Sequence, residues 1–223
     1  SAARALRVNW RTGRAQPLFW ASSSGVTLDR LRDGRIIFDT MTGRQNLREY
    51  DLAGRDPPRW ITHGTINDRQ PVFDPDGEWV VFSSNRSGNL DLWATSTRSG
   101  VTRSITDDPA DDWDPAFSPD GRSLLWSSNR TGNLELWTSN RDGSGARRVT
   151  HDGADAQNPT QTRDGKWILY SSANREHQGL WKIHPDGSGA EILIGGAVQI
   201  PQLSPDDAYA TYLITARTLT TLH

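Results

Sequence analysis

Residues 111–150 decide the fold of this chain, and they read DDWDPAFSPDGRSLLWSSNRTGNLELWTSNRDGSGARRVT. Short runs rich in strand-forming residues, at 116–117, 123–126, 134–137 and 147–149, alternate here with turn-forming residues. Two of the turns contain Asp-Gly pairs, at Asp120-Gly121 and Asp142-Gly143. Such pairs favour tight hairpins because the two-residue turns need positive φ, which glycine adopts without strain. The stretch therefore predicts four antiparallel strands joined by short turns.

The same pattern recurs along the chain. Trp93, Trp137 and Trp181 close predicted third strands at a spacing of 44 residues. The predicted first strands start at Pro71, Pro115, Pro159 and Pro201, and Ser-Ser-Asn-Arg loops occur at 83–86 and 127–130. A four-stranded meander cannot cover both its faces alone, so the copies have to stack on one another. The repeat predicts an all-β fold, a β-propeller of four-stranded antiparallel blades.

Counting the strands predicts how the copies are arranged. Copies of the repeat occupy residues 22–65, 66–109, 110–153 and 154–198 of a single 223-residue propeller domain, and the first of them is degenerate. Residues 1–21 resemble the last two strands of a blade, and residues 199–223 resemble the first two. Because these half-blades are complementary, we predict that they pair to complete a fifth blade and leave no open sheet edge. The alternative is that the chain is part of a six-bladed propeller.

Composition excludes several classes of function. The net charge is −2, so the chain has no global positive field with which to hold a nucleic acid. It contains no cysteine, which excludes disulfides and thiolate metal sites. No apolar run approaches the ~20 residues that a membrane-spanning helix needs. We therefore expect no nucleic-acid partner and no direct insertion into a membrane.

The repeat resembles that of the TolB-type, WD-repeat-like β-propeller family. The resemblance rests on Ser118-Pro119-Asp120-Gly121, the Ser-Ser-Asn-Arg loop, Gly-Asn-Leu-Glu-Leu-Trp at 132–137 and Asp-Gly-Ser-Gly at 142–145. It covers essentially the whole chain. The first copy departs from it, since Asp39 is predicted at the position of Phe82, with Tyr50 aligned to Trp93. The resemblance implies a bacterial binding scaffold in the periplasm or another extracytoplasmic location.

One face of the propeller is predicted to carry paired aspartates and arginines. The loops that enter each first strand and the loops that join second to third strands share that face. We predict a structural loop clamp made by bidentate arginine–carboxylate pairs. Its predicted members are Asp68, Asp112, Asp155, Arg86, Arg130 and Arg175. The alternative is a polar rim for a partner, but repetition in each copy favours a structural role.

The copies differ immediately before the proline of the first strand. Gln70, Asp114, Asn158 and Ile200 stand there, at the predicted mouth of the central channel. Sites on repeat scaffolds usually lie where the copies differ, and clefts at ring axes are common binding sites. We therefore predict a ligand or partner site at Gln70, Asp114 and Asn158.

Motifs that would indicate catalysis are missing from the sequence. It has no Gly-x-Ser-x-Gly elbow, no His-Glu-x-x-His and no phosphate-binding glycine loop. The acidic loop at 107–114 lacks the spacing of an EF-hand calcium site. We predict a monomeric, non-catalytic module that binds a protein or peptide, as a sensor, ligand-binding or scaffold domain of a bacterial envelope or signalling protein, without metal or cofactor.

Two enzyme-related alternatives stay open. The chain could be the accessory propeller of a hydrolase or peptidase. It could also be a five-bladed, glycan-active enzyme that uses its channel, in which case Asp114 is the one plausible acid at the mouth. Glycoside hydrolysis normally needs a pair of carboxyl groups about 5–10 Å apart, which makes the second alternative weak.

Overall fold

The computed structural model describes residues 3–8, 15–21, 28–30, 35–41, 45–151, 153, 155–173, 176, 178–204 and 206–214. Within these ranges the regular secondary structure consists of strands, and no helix is present that could cross a membrane. The strands form four four-stranded antiparallel sheets, each a simple meander, and two two-stranded sheets. The predicted all-β propeller architecture of four-stranded blades is confirmed.

The strands follow the chain in order. The N-terminal sheet has β1 (Ala3–Val8) and β2 (Ala15–Ala21), and the C-terminal sheet has β19 (Val198–Leu203) and β20 (Ala210–Ile214). Blade 1 comprises β3 (Leu28–Arg30), β4 (Arg35–Met41), β5 (Gln45–Asp51) and β6 (Arg59–Trp60). Blade 2 comprises β7 (Asp68–Phe73), β8 (Trp79–Ser84), β9 (Asp91–Ser96) and β10 (Thr102–Ser104). Blade 3 comprises β11 (Asp112–Phe117), β12 (Ser123–Ser128), β13 (Glu135–Asn140) and β14 (Arg147–Arg148). Blade 4 comprises β15 (Ala156–Gln161), β16 (Ile168–Ser172), β17 (Gly179–Ile183) and β18 (Glu191–Gly195).

The apolar residues of each blade are buried against the next blade. Between blades 2 and 3, Val81, Leu92 and Ala94 pack with Leu124 and Trp126. The remaining interfaces repeat this arrangement, with clusters centred on Phe82, on Tyr170 and on Leu180. Burial of apolar surface between sheets is the main favourable contribution to such a stack. The stacking predicted from the repeat therefore supplies the core.

Close approach between blades requires glycine in the turn that joins the third strand of a blade to the fourth. Gly143 lies in the β13–β14 turn with φ 92°, and a Cβ atom built on it would lie 2.1 Å from the carbonyl oxygen of Ile105 in the preceding blade. Gly187 occupies the matching turn, where a Cβ atom would lie 2.6 Å from the carbonyl oxygen of Val149. The Asp-Gly-Ser-Gly sequences thus set the distance between blades as well as the turn.

The first copy differs in register from the sequence prediction. The N–H of Leu47 donates to Thr62 Oγ1 at 2.9 Å, as that of Leu92 donates to Thr106 Oγ1. Asp39 pairs with Leu47 just as Ser83 pairs with Leu92. The prediction that Asp39 occupies the position of Phe82 was therefore wrong, and so was the alignment of Tyr50 with Trp93. The sequence alignment matched the aromatic residues Tyr50 and Trp93, whereas the register of the strand follows from the hydrogen bond between Leu47 and Thr62.

The two terminal sheets are not joined in the part of the chain that the structure describes. Strand β1 pairs with β2, and β19 pairs with β20, as separate two-stranded sheets. The pairing that would complete a fifth blade is therefore not found among the described residues, and both the closure and the number of blades stay predictions. Complementary strand counts fix how many strands each terminal sheet has. They do not fix the angle between successive blades, on which closure depends.

Candidate functional site at the channel mouth

The first strands β7, β11, β15 and β19 each contain a bulge next to their proline. Pairing with the second strand shifts register between Arg69 and Val72 in blade 2, and at the matching places in β11, β15 and β19. The bulge residues Gln70, Asp114, Asn158 and Ile200 have φ of 54°, 55°, 52° and 51°. Positive φ is uncommon for residues other than glycine, and such positions often accompany functional sites. The four predicted channel-mouth positions thus share one unusual backbone geometry.

Hydrogen bonds connect the bulge residues from blade to blade. Gln70 Oε1 accepts from the N–H of Asp114 at 3.4 Å, and Asp114 Oδ2 accepts from the N–H of Asn158 at 3.3 Å. Asn158 Oδ1 in turn accepts from the N–H of Ile200 at 3.4 Å. Gln70 Nε2 also donates to Asp114 Oδ1. The side chains of Gln70, Asp114 and Asn158 therefore each bind the backbone of the equivalent residue one blade further on.

Serines of the second strands support this network in blades 2 and 4. Ser83 Oγ donates to Gln70 Oε1 at 2.9 Å, and Ser171 Oγ bonds Asn158 Oδ1 at 3.2 Å. The network ends at Ile200, whose side chain offers no acceptor and is 39% exposed. The bulge residues thus form a polar arc that has an apolar end.

Asp114 is the one carboxylate among the bulge residues. Its side chain is almost fully buried, with 7% of the residue exposed. Burial raises the pKa of Asp114 to about 6, while hydrogen bonds from Asn158 and the charge of Arg69 act in the opposite direction. Its protonation state therefore changes in the mildly acidic range.

The predicted clamp residues come together in blades 2 and 3. Arg86 Nη2 lies 2.8 Å from Asp68 Oδ1, and Arg130 Nη2 lies 2.9 Å from Asp112 Oδ2. The sequence analysis missed Asp108, which lies 2.7 Å from Arg130. Both aspartates of the pairs are fully buried, and burial raises the pKa of Asp112.

Each clamp arginine also lies over the tryptophan of its third strand. The Cζ atom is 4.9 Å from the Trp93 ring centre for Arg86 and 4.3 Å from the Trp137 ring centre for Arg130. These are cation–π distances. The recurrence of arginine and tryptophan at constant spacing was the sequence signal for this contact.

The structure places Asp155 outside the clamp. Its Oδ1 accepts from the N–H of Leu134 at 3.2 Å, the role that Asp111 Oδ1 has toward Leu90. Ala156 pairs with Ser172 at the position where Asp112 pairs with Ser128, so the third copy has no clamp aspartate there. Arg175 lies outside the described residues.

Arg69 is a neighbour of the bulge residues that the sequence analysis missed. It precedes the bulge in β7, at the position that Trp113, Gln157 and Gln199 hold in the other blades. Its charge influences Asp114 in the neighbouring blade. The signal available in the sequence was that a single copy carries a charge at this position.

The described residues form no cluster of three His, Asp or Glu side chains that could hold a metal ion. Direct hydrogen bonds, from side chain or backbone donors to side-chain oxygens, join the three predicted mouth residues Gln70, Asp114 and Asn158. What the arrangement offers chemically is a set of fixed amide and carboxyl groups that differ from blade to blade.

Comparison with solved structures gives three informative similarities. A structure assigned as TolB from Agrobacterium tumefaciens is 21% identical with a TM-score of 0.79, covering 95% of this chain and 84% of that one. TolB from Acinetobacter baumannii is 18% identical with a TM-score of 0.79, covering 96% and 54%. An oligogalacturonate lyase in complex with manganese is 12% identical with a TM-score of 0.65, covering 95% and 65%. Similarities at this level of identity show the fold alone, and the chain spans about half of the Acinetobacter protein.

Among curated proteins, an uncharacterised protein from Agrobacterium fabrum is 34% identical over 47 residues, which is 21% of this chain and 16% of that protein. The family model described as TolB beta propeller domain matches residues 51–223, more than half of the chain. The resemblance predicted from the repeat is confirmed. The chain belongs to the TolB beta propeller domain family.

Proposed function

We propose that this chain is a non-catalytic module that binds a protein or peptide at the channel mouth. The observation that carries the proposal is the arc of bulge residues, Gln70, Asp114, Asn158 and Ile200. Their backbone geometry is the same, with φ between 51° and 55° at all four positions. Their side chains differ. A constant scaffold that presents varied chemistry is how repeat folds produce specific binding surfaces.

The family supports the rest of the proposal. By analogy with TolB-type propellers we place the module outside the bacterial cytoplasm, as a scaffold, ligand-binding or sensor domain. We propose that it acts as a monomer and that its partner contacts the end of the blades where the bulges lie. Fold-level analogy indicates a class of role and does not name a partner.

A pull-down from bacterial envelope extract tests the proposal. The purified domain is immobilised, and proteins retained on it are compared with those retained on the Asp114→Ala/Asn158→Ala double variant. We expect the double variant to lose a specific partner, because it removes both acceptors and leaves Gln70 without its carboxylate.

The matched control changes charge at exposed turns away from the bulges. Arg122→Ala/Lys166→Ala removes two cations whose side chains are 87% and 72% exposed. It should retain the same partner as the wild type. Equal retention by both double variants would contradict binding at the mouth. Turnover of glycans or model esters that is abolished by Asp114→Ala would contradict a non-catalytic role.

A further inference from the structure

The Arg69 guanidinium has no counter-ion among the described residues. None of their carboxylates lies within ion-pair distance of it, and its Nε is buried without a hydrogen-bond partner. Buried polar groups nearly always have a partner, and an exception in a native structure requires an explanation. The other arginines close to the mouth, Arg86 and Arg130, both have carboxylate partners.

The position of Arg69 directs it toward the bulge residues of the next blade. It pairs with Ser83, and so lies on the same face of blade 2 as Val81, which packs against blade 3. The charge of Arg69 lowers the pKa of Asp114 against the effect of burial. The two side chains are therefore neighbours across the interface between blades 2 and 3.

Asp114 does not satisfy Arg69. Its Oδ1 accepts from Gln70 Nε2, and its Oδ2 accepts from the N–H of Asn158. The carboxylate is thus committed to the bulge network, and the guanidinium retains free donors at the partly exposed mouth. Arginine binds carboxylates in a planar, bidentate geometry, which makes a carboxylate the fitting ligand.

We propose that Arg69, together with the Gln70 amide, forms a carboxylate-binding subsite at the channel mouth, so that the partner presents an acidic peptide group there. The subsite deepens the function proposed above and rests on it. Since Trp113, Gln157 and Gln199 hold this position in the other strands that contain the bulge, a single such subsite is expected among these strands, between blades 2 and 3.

The subsite is coupled to the protonation of Asp114. Ionised Asp114 repels a second carboxylate and already neutralises part of the charge of Arg69, whereas protonated Asp114 does neither. Asp114 faces Arg69 and Gln70 on β7 and Asn158 on β15, and of these groups Arg69 alone is charged. Binding of a carboxylate should therefore weaken as the pH rises through about 6.

The experiment uses three short probes on the whole domain. They are acetyl-Gly-Asp-Gly-amide, its uncharged match acetyl-Gly-Asn-Gly-amide, and acetyl-Gly-Gly with a free C-terminal carboxylate. Binding is followed by NMR on the backbone amide signals of residues 114 and 158, which every variant retains, and in the wild type also on the guanidinium signal of Arg69. We expect the Asp probe to bind about 10- to 100-fold more tightly than the Asn probe at pH 5, the ratio that one charge-assisted hydrogen bond gives.

Variants separate binding from folding. Arg69→Gln should remove the discrimination between the probes, and Arg69→Lys should retain part of it. Arg103→Gln is the matched control, because it removes an arginine of the same blade from the outer strand β10. Asp114→Asn should make binding of the Asp probe independent of pH between 5 and 7.5, with thermal denaturation reporting the fold of each variant.

The outcomes decide between the possibilities. Preference for the Asp probe or for the free C-terminus identifies an acidic side chain or a chain end as the natural group. Equal binding of charged and uncharged probes, or discrimination that survives Arg69→Gln, would overturn the subsite. If Arg69→Gln still retains the envelope partner and only the Asp114→Ala/Asn158→Ala variant loses it, the subsite proposal is wrong while binding at the mouth stands.

Discussion

Asp114 is buried and accepts hydrogen bonds within the bulge network through both of its carboxyl oxygens. Burial raises its pKa to about 6 from the ordinary 3.8, so the folded protein holds a proton that the unfolded chain releases. A carboxyl group whose pKa is raised by folding stabilises the folded protein less and less as the pH rises from the pKa of the unfolded chain to that of the folded protein. Ionisation of Asp114 thus opposes the fold at neutral pH.

We expect Asp114→Asn to become more stable relative to the wild type as the pH rises from about 4 to about 7. The shift in pKa from 3.8 to about 6 corresponds to at most about 3 kcal/mol at the upper end. Asparagine cannot ionise, but its NH2 group replaces one of the two accepting oxygens, so a difference in stability that does not depend on pH is expected in addition. Urea denaturation across this range measures the difference. A constant difference at all pH values would contradict the raised pKa.

Arg130 illustrates a residue that holds loops together. Its guanidinium bonds Ser128 Oγ and both oxygens of Asp112, and it lies over Trp137. We expect Arg130→Ala to reduce the free energy of unfolding by about 3 kcal/mol, the lower end of the range for breaking a buried pair, since Asp112 can then take up a proton. Thermal denaturation should show a larger loss of stability than of partner affinity.

Arg122→Ala serves as its comparison. Arg122 lies 4.0 Å from Asp120, and both side chains are mainly exposed. Exposed pairs contribute about 0–1 kcal/mol, so this variant should melt near the wild type. Equal melting temperatures for Arg130→Ala and the wild type would contradict a clamp.

At this scale the sequence predicted the clamp in two copies and misplaced it in the third. Asp111 and Asp112 are adjacent, and only one of them can align with Asp155. Spacing of 44 residues assigns Asp155 to Asp111, as its hydrogen bond to Leu134 shows. Arg69 was missed because its neighbour Asp114 belongs to another blade, and sequence spacing carries no information on which side chains meet across an interface.

Neighbouring blades are tied by an ion pair as well as by apolar packing. Asp74, at the end of β7, is fully buried, and its Oδ2 accepts from Arg141 Nη2 in the β13–β14 turn of blade 3. Its Oδ1 accepts from the N–H of Trp79 at 3.0 Å. Ser118 stands at the matching place in blade 3, so a neutral side chain serves there.

We expect Arg141→Ala to cost about 3–5 kcal/mol because it leaves the buried carboxylate of Asp74 without its cation. The double variant Asp74→Ser/Arg141→Ala should be more stable than Arg141→Ala, since serine can hold the turn as Ser118 does. A double-mutant cycle by chemical denaturation measures the coupling. Additive losses in the cycle would show that the two residues do not interact.

At the scale of elements, the strands and turns followed from the sequence, but the bulges did not. The prolines at 71, 115, 159 and 201 appeared to begin the strands, whereas they lie inside β7, β11, β15 and β19. A proline inside a strand is compatible with a bulge. The positive φ before each proline arises from pairing with the second strand, which local sequence does not specify.

On the scale of the whole molecule, the last blade has an uncovered apolar strip. Ile194 of β18 is 38% exposed, whereas Val149 at the equivalent place in blade 3 is fully buried. Val149 packs against the third strand of the next blade. A third strand beside β20 would cover Ile194 in the same way, and we predict that β1 takes this position in solution.

We expect the variant Leu6→Cys/Tyr212→Cys to form an intramolecular disulfide. The repeat aligns Leu6 with Trp93 in the third strand. Tyr212 is equivalent to Trp126 and Phe82 in the second strand, and Phe82 pairs with Trp93. Closure would therefore place positions 6 and 212 opposite each other. The chain has no cysteine of its own, which makes the result easy to interpret. Electrophoresis without reductant measures the product.

The control pair is Ala5→Cys/Tyr212→Cys, in which a shift of one residue directs the two side chains to opposite faces. It should remain reduced. Absence of a disulfide in the first pair, or linkage between molecules only, would contradict closure by β1.

The apolar end of the bulge arc has a consequence for orientation. If all blades were identical, a partner could bind in several orientations related by rotation about the propeller axis, with equal free energy. Ile200 interrupts the relay of side-chain acceptors that starts at Gln70, so rotation by one step no longer superimposes the surface on itself. The pseudo-symmetric surface is therefore asymmetric in its chemistry, and a bound partner is expected to adopt a single orientation about the propeller axis.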